Sequence, residues 1–192
     1  MLVIKEKELT GDFVKMAAAK ENPVVWEIGV KRSIPERSTL HRDLVPHAKQ
    51  FVGVDKSPGL DVDLVADVDR LDIDPSVVQA LANKAVEFPD IVIAWSVFEH
   101  LERPWNAAEA IGRVLKKDGL VFVHTHQTYP LHAYPVDMWR FTIESLSLIF
   151  RDAGFEVEDC SYFHPCLIVS KHDPEGHLHP AFLTVAIIAK KP

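Results

Sequence analysis

Two aspartates, each placed directly after an apolar run, are the first residues of this chain whose type and spacing could do chemistry. Asp55 ends the run Phe51–Val54, and Asp67 ends a second apolar stretch one short turn later. In an open α/β sheet, an acid at the carboxyl end of a buried strand is where a ribose is held. The pair therefore suggests a nucleoside pocket, although aspartate is also common in ordinary turns.

The composition predicts a single acidic domain that binds neither nucleic acid nor a membrane. The chain has 192 residues, 47% of them hydrophobic, which suits one sizeable core and would be cramped for two. Its formal net charge of -7 lacks the basic excess of a nucleic-acid-binding face. The start of the chain is too charged for a signal peptide, and no apolar run approaches the ~20 residues of a membrane span. The two cysteines, Cys160 and Cys166, form no disulfide framework, which is typical of a reducing compartment. We therefore predict a soluble cytoplasmic protein. From its length we predict one domain over residues 1–192.

Strands alternate with helices along the chain, and this order predicts a doubly wound, mostly parallel α/β sheet. Apolar runs predict strands at 24–28, 51–54, 62–66, 90–95, 120–123, from 155 onward, and 182–189. Helical spacing predicts helices at 9–20 (within an N-terminal segment, 1–22), 37–48, 74–86, from 104 to a stop at 118–119, and 142–153. Gly154 is expected to cap the last helix in a left-handed conformation. Because a loop joins the last two strands, one edge of the sheet should be an antiparallel hairpin.

Several segments carry a resemblance to a known family. The runs VVWEIG, FVGVDKSP and LVADVDRLD stand at the first three predicted strands. They are followed by PDIVIAWSVFEHLERPWNAAEAIGRVLKKDGLVFVHTH, which contains a Glu-His pair, and by YPLHAYPVDMWRFT. Together these stretches, over about residues 24–157, resemble the class I S-adenosylmethionine (SAM)-dependent methyltransferases, specifically the type 11 branch. The resemblance implies a Rossmann-like fold with a seven-stranded sheet, and SAM as the cofactor.

The resemblance also implies which residues hold SAM. They share a position at or just after the carboxyl ends of the first four predicted strands. They are Glu27 and Gly29 beside the methionine portion, Asp55 on the ribose hydroxyls, Lys56 beside adenine, Asp67 and the Val68 backbone at the adenine amino group, and Trp95 and Ser96 on the methionine side. Two of these residues could instead have a purely structural role. Glu27 could be an exposed strand end, and Asp67 could be an acid in a turn.

The acceptor side is expected to contain histidines. Methyl transfer needs alignment and exclusion of water, and a hydroxyl or ammonium acceptor must also lose a proton. His100, His126 and His132 are therefore candidate general bases. Asp137 and Arg140, in the last segment of the resemblance, are candidate substrate contacts. His100 could instead simply start a helix, and Arg140 could fasten its loop by pairing with Asp137.

A histidine-rich stretch, residues 164–180, is predicted to be a polar hairpin loop. His164, His172, His177 and His179 with nearby acids could hold zinc or nickel, because neutral imidazole suits such metals. The spacing HDPEGHLH is not a recognised ligand pattern, so we predict no metal site.

These features predict a SAM-dependent methyltransferase with a small-molecule acceptor. The resemblance suggests that the acceptor is a sugar or a secondary metabolite. The sequence does not indicate the oligomeric state. One position departs from the family, since Lys31 stands where the first loop usually has a second glycine. This departure favours one alternative, a degenerate homologue that serves as a partner or binding subunit without transferring methyl groups. A nicotinamide-dependent oxidoreductase is a further alternative, disfavoured because no complete G-x-G-x-x-G is present.

Overall fold

The computed structural model describes residues 6–32, 36, 38, 40–132, 136–169, 172 and 175–192, and within them strands alternate with helices. The helices are α1 (Glu6–Ala18), α2 (Pro75–Ala82), α3 (Pro104–Val114) and α4 (Ile143–Asp152). The strands are β1 (Val24–Ile28), β2 (Gln50–Asp55), β3 (Leu64–Val65), β4 (Ile91–Trp95), β5 (Leu120–His126), β6 (Glu156–Val169) and β7 (Leu178–Lys190). Short 3-10 helices lie at Arg42–Leu44, Val68–Arg70 and Phe98–His100.

The seven strands form one sheet in the order β3-β2-β1-β4-β5-β7-β6. The pairs among β1 to β5 are parallel, whereas β7 runs antiparallel to both β5 and β6. The predicted fold class, a mostly parallel seven-stranded sheet with an antiparallel edge hairpin, is confirmed. The strand order reverses between β1 and β4, and open sheets of this kind bind ligands beyond the carboxyl ends at such a reversal.

Helices cover both faces of the central strands, which explains why β1 reads as a continuous apolar run. Trp26 and its neighbours on one face of β1 join the core beneath α2, α3 and α4. Val25 on the other face joins the core beneath α1, where Phe13 stacks on Phe122 with ring centroids 4.8 Å apart. None of the described helices has the length and apolar character needed to cross a membrane.

The helix predicted over 37–48 is wrong. Within its described part, only the three residues Arg42–Leu44 are helical, as one 3-10 turn. Pro46 disfavours helical backbone at Val45, whose ψ is 65°. In addition, the His41 N–H donates to the Glu27 carboxylate at 2.8 Å, so a tertiary contact orients this segment.

The predicted loop over 164–180 is also too long. The β6–β7 ladder continues to the pair Val169 and Leu178, so His164 and His179 belong to strands and the connection is much shorter. The aliphatic residues at 167–169 favour a β-strand. The pairing of β7 with β5 ends at Thr184, whereas its pairing with β6 continues to Leu178. Elsewhere Gly154 has a φ of +86°, as expected for the residue that ends α4.

Replacing Thr142 by alanine should lower the free energy of unfolding by about 1 kcal/mol, because it removes the cap of α4. The Thr142 hydroxyl accepts a hydrogen bond from the Ser145 N–H at 3.2 Å, and the Ser145 hydroxyl accepts one from the Thr142 N–H at 2.9 Å. Urea unfolding measures the change, and Thr142→Ser, which keeps the hydroxyl, is the control. Equal stability of the two variants would contradict the assigned cap.

Candidate active site

The carboxyl ends of β1, β2, β4 and β5 lie side by side at one edge of the sheet. Ile28 of β1 pairs with Val54 of β2 and with Ala94 of β4, and Trp95 of β4 pairs with His124 of β5. The predicted site residues that follow these strands are therefore neighbours. The edge includes the reversal of strand order, where open α/β sheets bind ligands.

Gly29 makes the turn out of β1, and only glycine fits this position. Its φ is +79°, and its N–H donates to the Val54 carbonyl at 2.8 Å. A Cβ atom at this position would lie 2.3 Å from Cγ2 of Val97. The absence of a side chain therefore lets the β1 turn pack against the loop that follows β4.

Asp55 is held by backbone donors from two loops. Its Oδ2 accepts a hydrogen bond from the Lys31 N–H at 3.1 Å, and its Oδ1 accepts one from the Ser57 N–H at 2.9 Å. The side chain is half-buried. A carboxylate offers about four lone-pair sites, so both oxygens can still accept a hydrogen bond from a ligand hydroxyl.

The Lys31 side chain lies along the loop that follows β2. A Cβ atom placed on Gly59 would be 2.9 Å from Cγ of Lys31. The lysine therefore rests on a stretch of backbone that carries no side chain. Its own N–H still reaches Asp55, so the first loop keeps this contact without the family's second glycine.

The predicted methionine side of the site contains a histidine that the sequence analysis missed. Buried Glu27 accepts hydrogen bonds from His41 at both carboxylate oxygens, with distances of 2.8 Å to the backbone N and 2.6 Å to Nδ1. The Trp95 ring stacks between His41 and His124, with centroids 4.3 Å from each. Ser96 has a φ of +55° and donates its N–H to the His124 carbonyl at 2.8 Å. His41 lies in the segment that helical spacing misassigned, so no sequence signal identified it.

The predicted adenine contacts also lie together. Lys56 Nζ is 3.2 Å from Oδ2 of Asp67, at the end of the strand next to β2. Asp67 also accepts a hydrogen bond from the Asp69 N–H at 3.2 Å, which caps a 3-10 turn. Val68 is buried in the core beneath α2 and α3, so only its backbone is suited to face a ligand. Asp67 therefore has the turn role that the sequence analysis left open, in addition to its place at the edge.

Glu99 is a fully buried carboxylate that the sequence analysis did not select as a site residue. Its Oε2 accepts a hydrogen bond from the Thr125 hydroxyl at 2.7 Å. Its Oε1 lies 3.1 Å from Nδ1 of His126 and 3.8 Å from Nε2 of His100. Burial raises the pKa of the Glu99 carboxyl above its ordinary value. The sequence signal for Glu99 was its place as the acid of the Glu-His pair, four residues after the end of a continuously apolar strand.

The three histidines predicted as bases converge around this carboxylate. The His132 ring lies edge-on to those of His100 and His126, with centroid distances of 5.0 and 4.8 Å. The His126 ring also stacks on Tyr129 at 4.1 Å. Burial is the main cause that lowers the pKa of His126 to about 4, and the nearby Arg140 guanidinium acts in the same direction. His126 is therefore neutral near pH 7, and a pKa this low makes it a weak base.

Asp137 and Arg140, predicted as substrate contacts, bind each other in this structure. The guanidinium donates to both carboxylate oxygens, at 2.5 and 2.7 Å, and holds the pKa of Asp137 well below its usual range. Asp137 also accepts a hydrogen bond from the His132 N–H at 2.8 Å. Arg140 donates to the carbonyls of Tyr129, Pro130 and Trp139 as well. The pair thus fastens the loop that carries His132.

A sequence model of the family described as "Methyltransferase domain" matches residues 39–159. The match contains Asp55, Asp67, the Glu-His pair and the Asp137–Arg140 pair, and it begins after the Gly29 turn. No curated protein sequence matches the chain.

Solved structures share the fold at low sequence identity. A SAM-dependent methyltransferase from Archaeoglobus fulgidus is 16% identical, with a TM-score of 0.60 and coverage of 96% of this chain and 94% of that one. The N-methyltransferase NodS from Bradyrhizobium japonicum, solved with S-adenosyl-L-homocysteine, is 13% identical, with a TM-score of 0.57 and coverage of 97% and 87%. A chain from the Haloferax volcanii complex of the Trm112 methyltransferase activator with a methyltransferase is 17% identical, with a TM-score of 0.61 and coverage of 98% and 92%.

Replacing Arg140 by lysine should lower the free energy of unfolding by about 2 kcal/mol, because an ammonium cannot reproduce the two-point pairing with Asp137 and the carbonyl contacts. Chemical denaturation measures the loss. Arg113→Lys is the matched control, since Arg113 is half-exposed on α3 and pairs with Asp72 and Glu109 at the surface, where such pairs contribute about 0–1 kcal/mol. A similar loss for both variants would mean that the Arg140 pair does not fasten the loop.

Proposed function

Because this chain belongs to the methyltransferase domain family, we propose that it transfers a methyl group from SAM to a hydroxyl group of a small molecule. The observation that carries the proposal is the convergence of three imidazoles beside the predicted cofactor edge, where an acceptor hydroxyl can lose its proton. The Glu-His pair and the WRFT segment support the finer placement in the type 11 branch. By resemblance, the acceptor is a sugar or secondary metabolite.

The cofactor half of the site is centred on Asp55, and its donor set fits a nucleoside. The half-buried Asp55 carboxylate keeps acceptor capacity for two vicinal hydroxyls. Lys56, Asp67 and the Val68 backbone lie on the side predicted for adenine, and Gly29, Trp95 and Ser96 lie on the side predicted for methionine. Glu27 fits less simply, because His41 occupies both of its oxygens. When bound, SAM supplies an electrophilic methyl group on a sulfonium.

The acceptor half consists of the histidines at the ends of β4 and β5 and in the loop before α4. His126 accepts the proton of the acceptor hydroxyl, and Glu99 Oε1, 3.1 Å from its Nδ1, stabilises the positive charge that develops there. His132 is the second candidate base, and His100 is the third. Asp137 and Arg140 position His132, which supports a role in shaping the acceptor pocket.

A second candidate function is a SAM-binding or non-binding subunit without transfer activity. Lys31 in the first loop and the engagement of Glu27 by His41 favour it, because both depart from a typical cofactor loop. Calorimetric titration with SAM, with its demethylated product and with NAD separates the functions. Binding of SAM and its product with methyl transfer supports the enzyme, binding alone supports the subunit, and preference for NAD supports an oxidoreductase.

Replacing Asp55 by alanine should weaken SAM binding by about 1–3 kcal/mol, because charge-assisted hydrogen bonds to the ribose are lost. Isothermal titration calorimetry measures the affinity, and circular dichroism checks that the fold is retained. Asp12→Ala is the matched control, since Asp12 is an exposed acid that pairs with Lys15 on α1. Unchanged affinity of a folded Asp55 variant would refute the ribose assignment.

Replacing His126 or His132 by alanine should lower the turnover about 100- to 10,000-fold, the range expected when a general base is removed, while SAM affinity stays nearly constant. Release of S-adenosyl-L-homocysteine, measured with a panel of sugars and phenols, first identifies an acceptor and then gives the turnover. His177→Ala, which removes an exposed histidine of the β6–β7 connection, is the control. If both site variants keep full turnover, alignment alone carries the reaction. If SAM affinity falls instead, these histidines belong to the cofactor half.

A further inference from the structure

We propose that Glu99, His100 and His132 form a binding site for one divalent transition-metal ion, with zinc as the representative ion. One ligand atom from each residue lies within 4.8 Å of those of the other two. The proposal goes beyond the methyl transfer proposed above and beyond the sequence analysis, which predicted no metal site. It rests on geometry, on an unsatisfied buried oxygen and on the orientation of two imidazoles.

The spacing of these atoms is close to that of a bound zinc site. With zinc–ligand bonds of about 2.0–2.2 Å and tetrahedral angles, two ligand atoms of one ion stand about 3.4 Å apart. Glu99 Oε1 is already 3.8 Å from Nε2 of His100. Even a separation of 4.8 Å closes to the bound spacing with relative shifts of about 1.4 Å, which side-chain rotation can supply.

The Glu99 carboxylate supplies the independent sign that a cation belongs here. The side chain is 0% exposed, and its Oε1 accepts no hydrogen bond within the described part of the chain. His126 Nδ1 lies 3.1 Å from this oxygen, but the two atoms do not have the geometry of a hydrogen bond. A buried carboxylate oxygen that accepts no hydrogen bond is costly, and a metal ion would satisfy it. The Thr125 hydroxyl holds the other oxygen at 2.7 Å and thereby fixes the orientation of the carboxylate.

His100 presents the correct nitrogen to this site. Its Nδ1 is 2.5 Å from the Val136 carbonyl oxygen, which can only accept, so Nδ1 carries the hydrogen. The lone pair is then on Nε2, the atom near Glu99 Oε1. Metal-binding histidines characteristically donate their second ring N–H to a carbonyl or carboxylate in this way.

His132 is held in place by groups outside the ligand set. Its backbone N–H donates to Asp137 at 2.8 Å, and Arg140 fixes Asp137 in turn. His132 Nδ1 is buried and 3.4 Å from Oδ2 of Asp137. The loop position of this ligand is therefore set before any ion binds, which lowers the cost of binding.

Two imidazoles and one carboxylate favour zinc or a similar transition metal over magnesium or calcium, which prefer oxygen ligands. Three protein ligands leave the fourth coordination position of the ion open, as in catalytic zinc sites. Structural zinc sites instead have four protein ligands. On the proposed methyl transfer, and resting on it, the open position would take the acceptor hydroxyl oxygen next to His126. His100 and His132 would then use their lone pairs on the ion, which would leave His126 as the base. Metal coordination would lower the pKa of that hydroxyl.

Metal titration of the chelator-treated full chain tests the site without any methyl acceptor. Zinc should bind with one-to-one stoichiometry in competition calorimetry, and cobalt(II) should give the visible absorption of a four-coordinate site. Glu99→Gln, which keeps the Thr125 hydrogen bond but loses the charge, and His132→Ala should each lower the affinity at least 10-fold. His177→Ala should leave the affinity unchanged, and circular dichroism verifies that each variant is folded.

Three results would overturn the proposal. The first is absence of zinc binding by the folded chain. The second is a zinc affinity of the Glu99→Gln and His132→Ala variants that equals that of the unsubstituted chain. The third is loss of binding in His177→Ala instead, which would place the ion at the β6–β7 connection. SAM titration of the same variants keeps the two proposals separate. Retained zinc binding in a chain that binds no SAM would leave the metal site standing and refute the methyltransferase.

Discussion

The buried carboxylate of Glu99 is the group on which the arrangement of the proposed acceptor half depends. Its side chain accepts a hydrogen bond from Thr125 of β5, and its backbone carbonyl accepts from the N–H groups of Met138 and Trp139, at 2.9 and 3.2 Å. One residue therefore joins the turn after β4 to β5 and to the loop before α4. A carboxylate in a dry core is costly unless polar groups surround it, and this cost explains why hydroxyl and imidazole groups converge there.

The first loop of the proposed cofactor half has a lysine, Lys31, where the resemblance leads one to expect a second glycine. Lys31 keeps a backbone contact with Asp55 while its side chain runs along the Gly59 backbone, so the loop retains its path around a bulkier residue. Glu27 accepts hydrogen bonds from His41, and the His41 ring also stacks on Trp95. The family match begins beyond this loop, and the acceptor half lies wholly within it. The matched range therefore contains Asp55 and Asp67 of the proposed cofactor half together with the whole proposed acceptor half, whereas Glu27, Gly29 and Lys31 lie before it.

Fold class was readable from the sequence because it depends on local patterns. Continuous apolar runs bounded by turn residues located the strands, and a connection without a helix predicted the antiparallel edge. The two errors have one cause. Over 37–48 helical spacing was present, but Pro46 and the bond from His41 to β1 oppose the helix. Over 164–180 polar composition suggested a loop, whereas pairing across the β6–β7 ladder extends the strands. In both segments, contacts with distant residues outweighed the local preference.

The candidate site also contains features that local sequence predicts and features that only tertiary packing determines. The position of Asp55 at the carboxyl edge of the sheet was predictable from the sequence alone, because an acid that ends an apolar strand is a local feature. The sequence also supplied the candidate histidines, but not the fact that His100 and His132 meet at a buried Glu99. Residues separated by more than 30 positions come together only when parallel strands align their ends and the Asp137–Arg140 pair closes the loop. Periodicity determines which face a side chain takes along its own element, whereas the distance between elements is decided by packing in the folded chain.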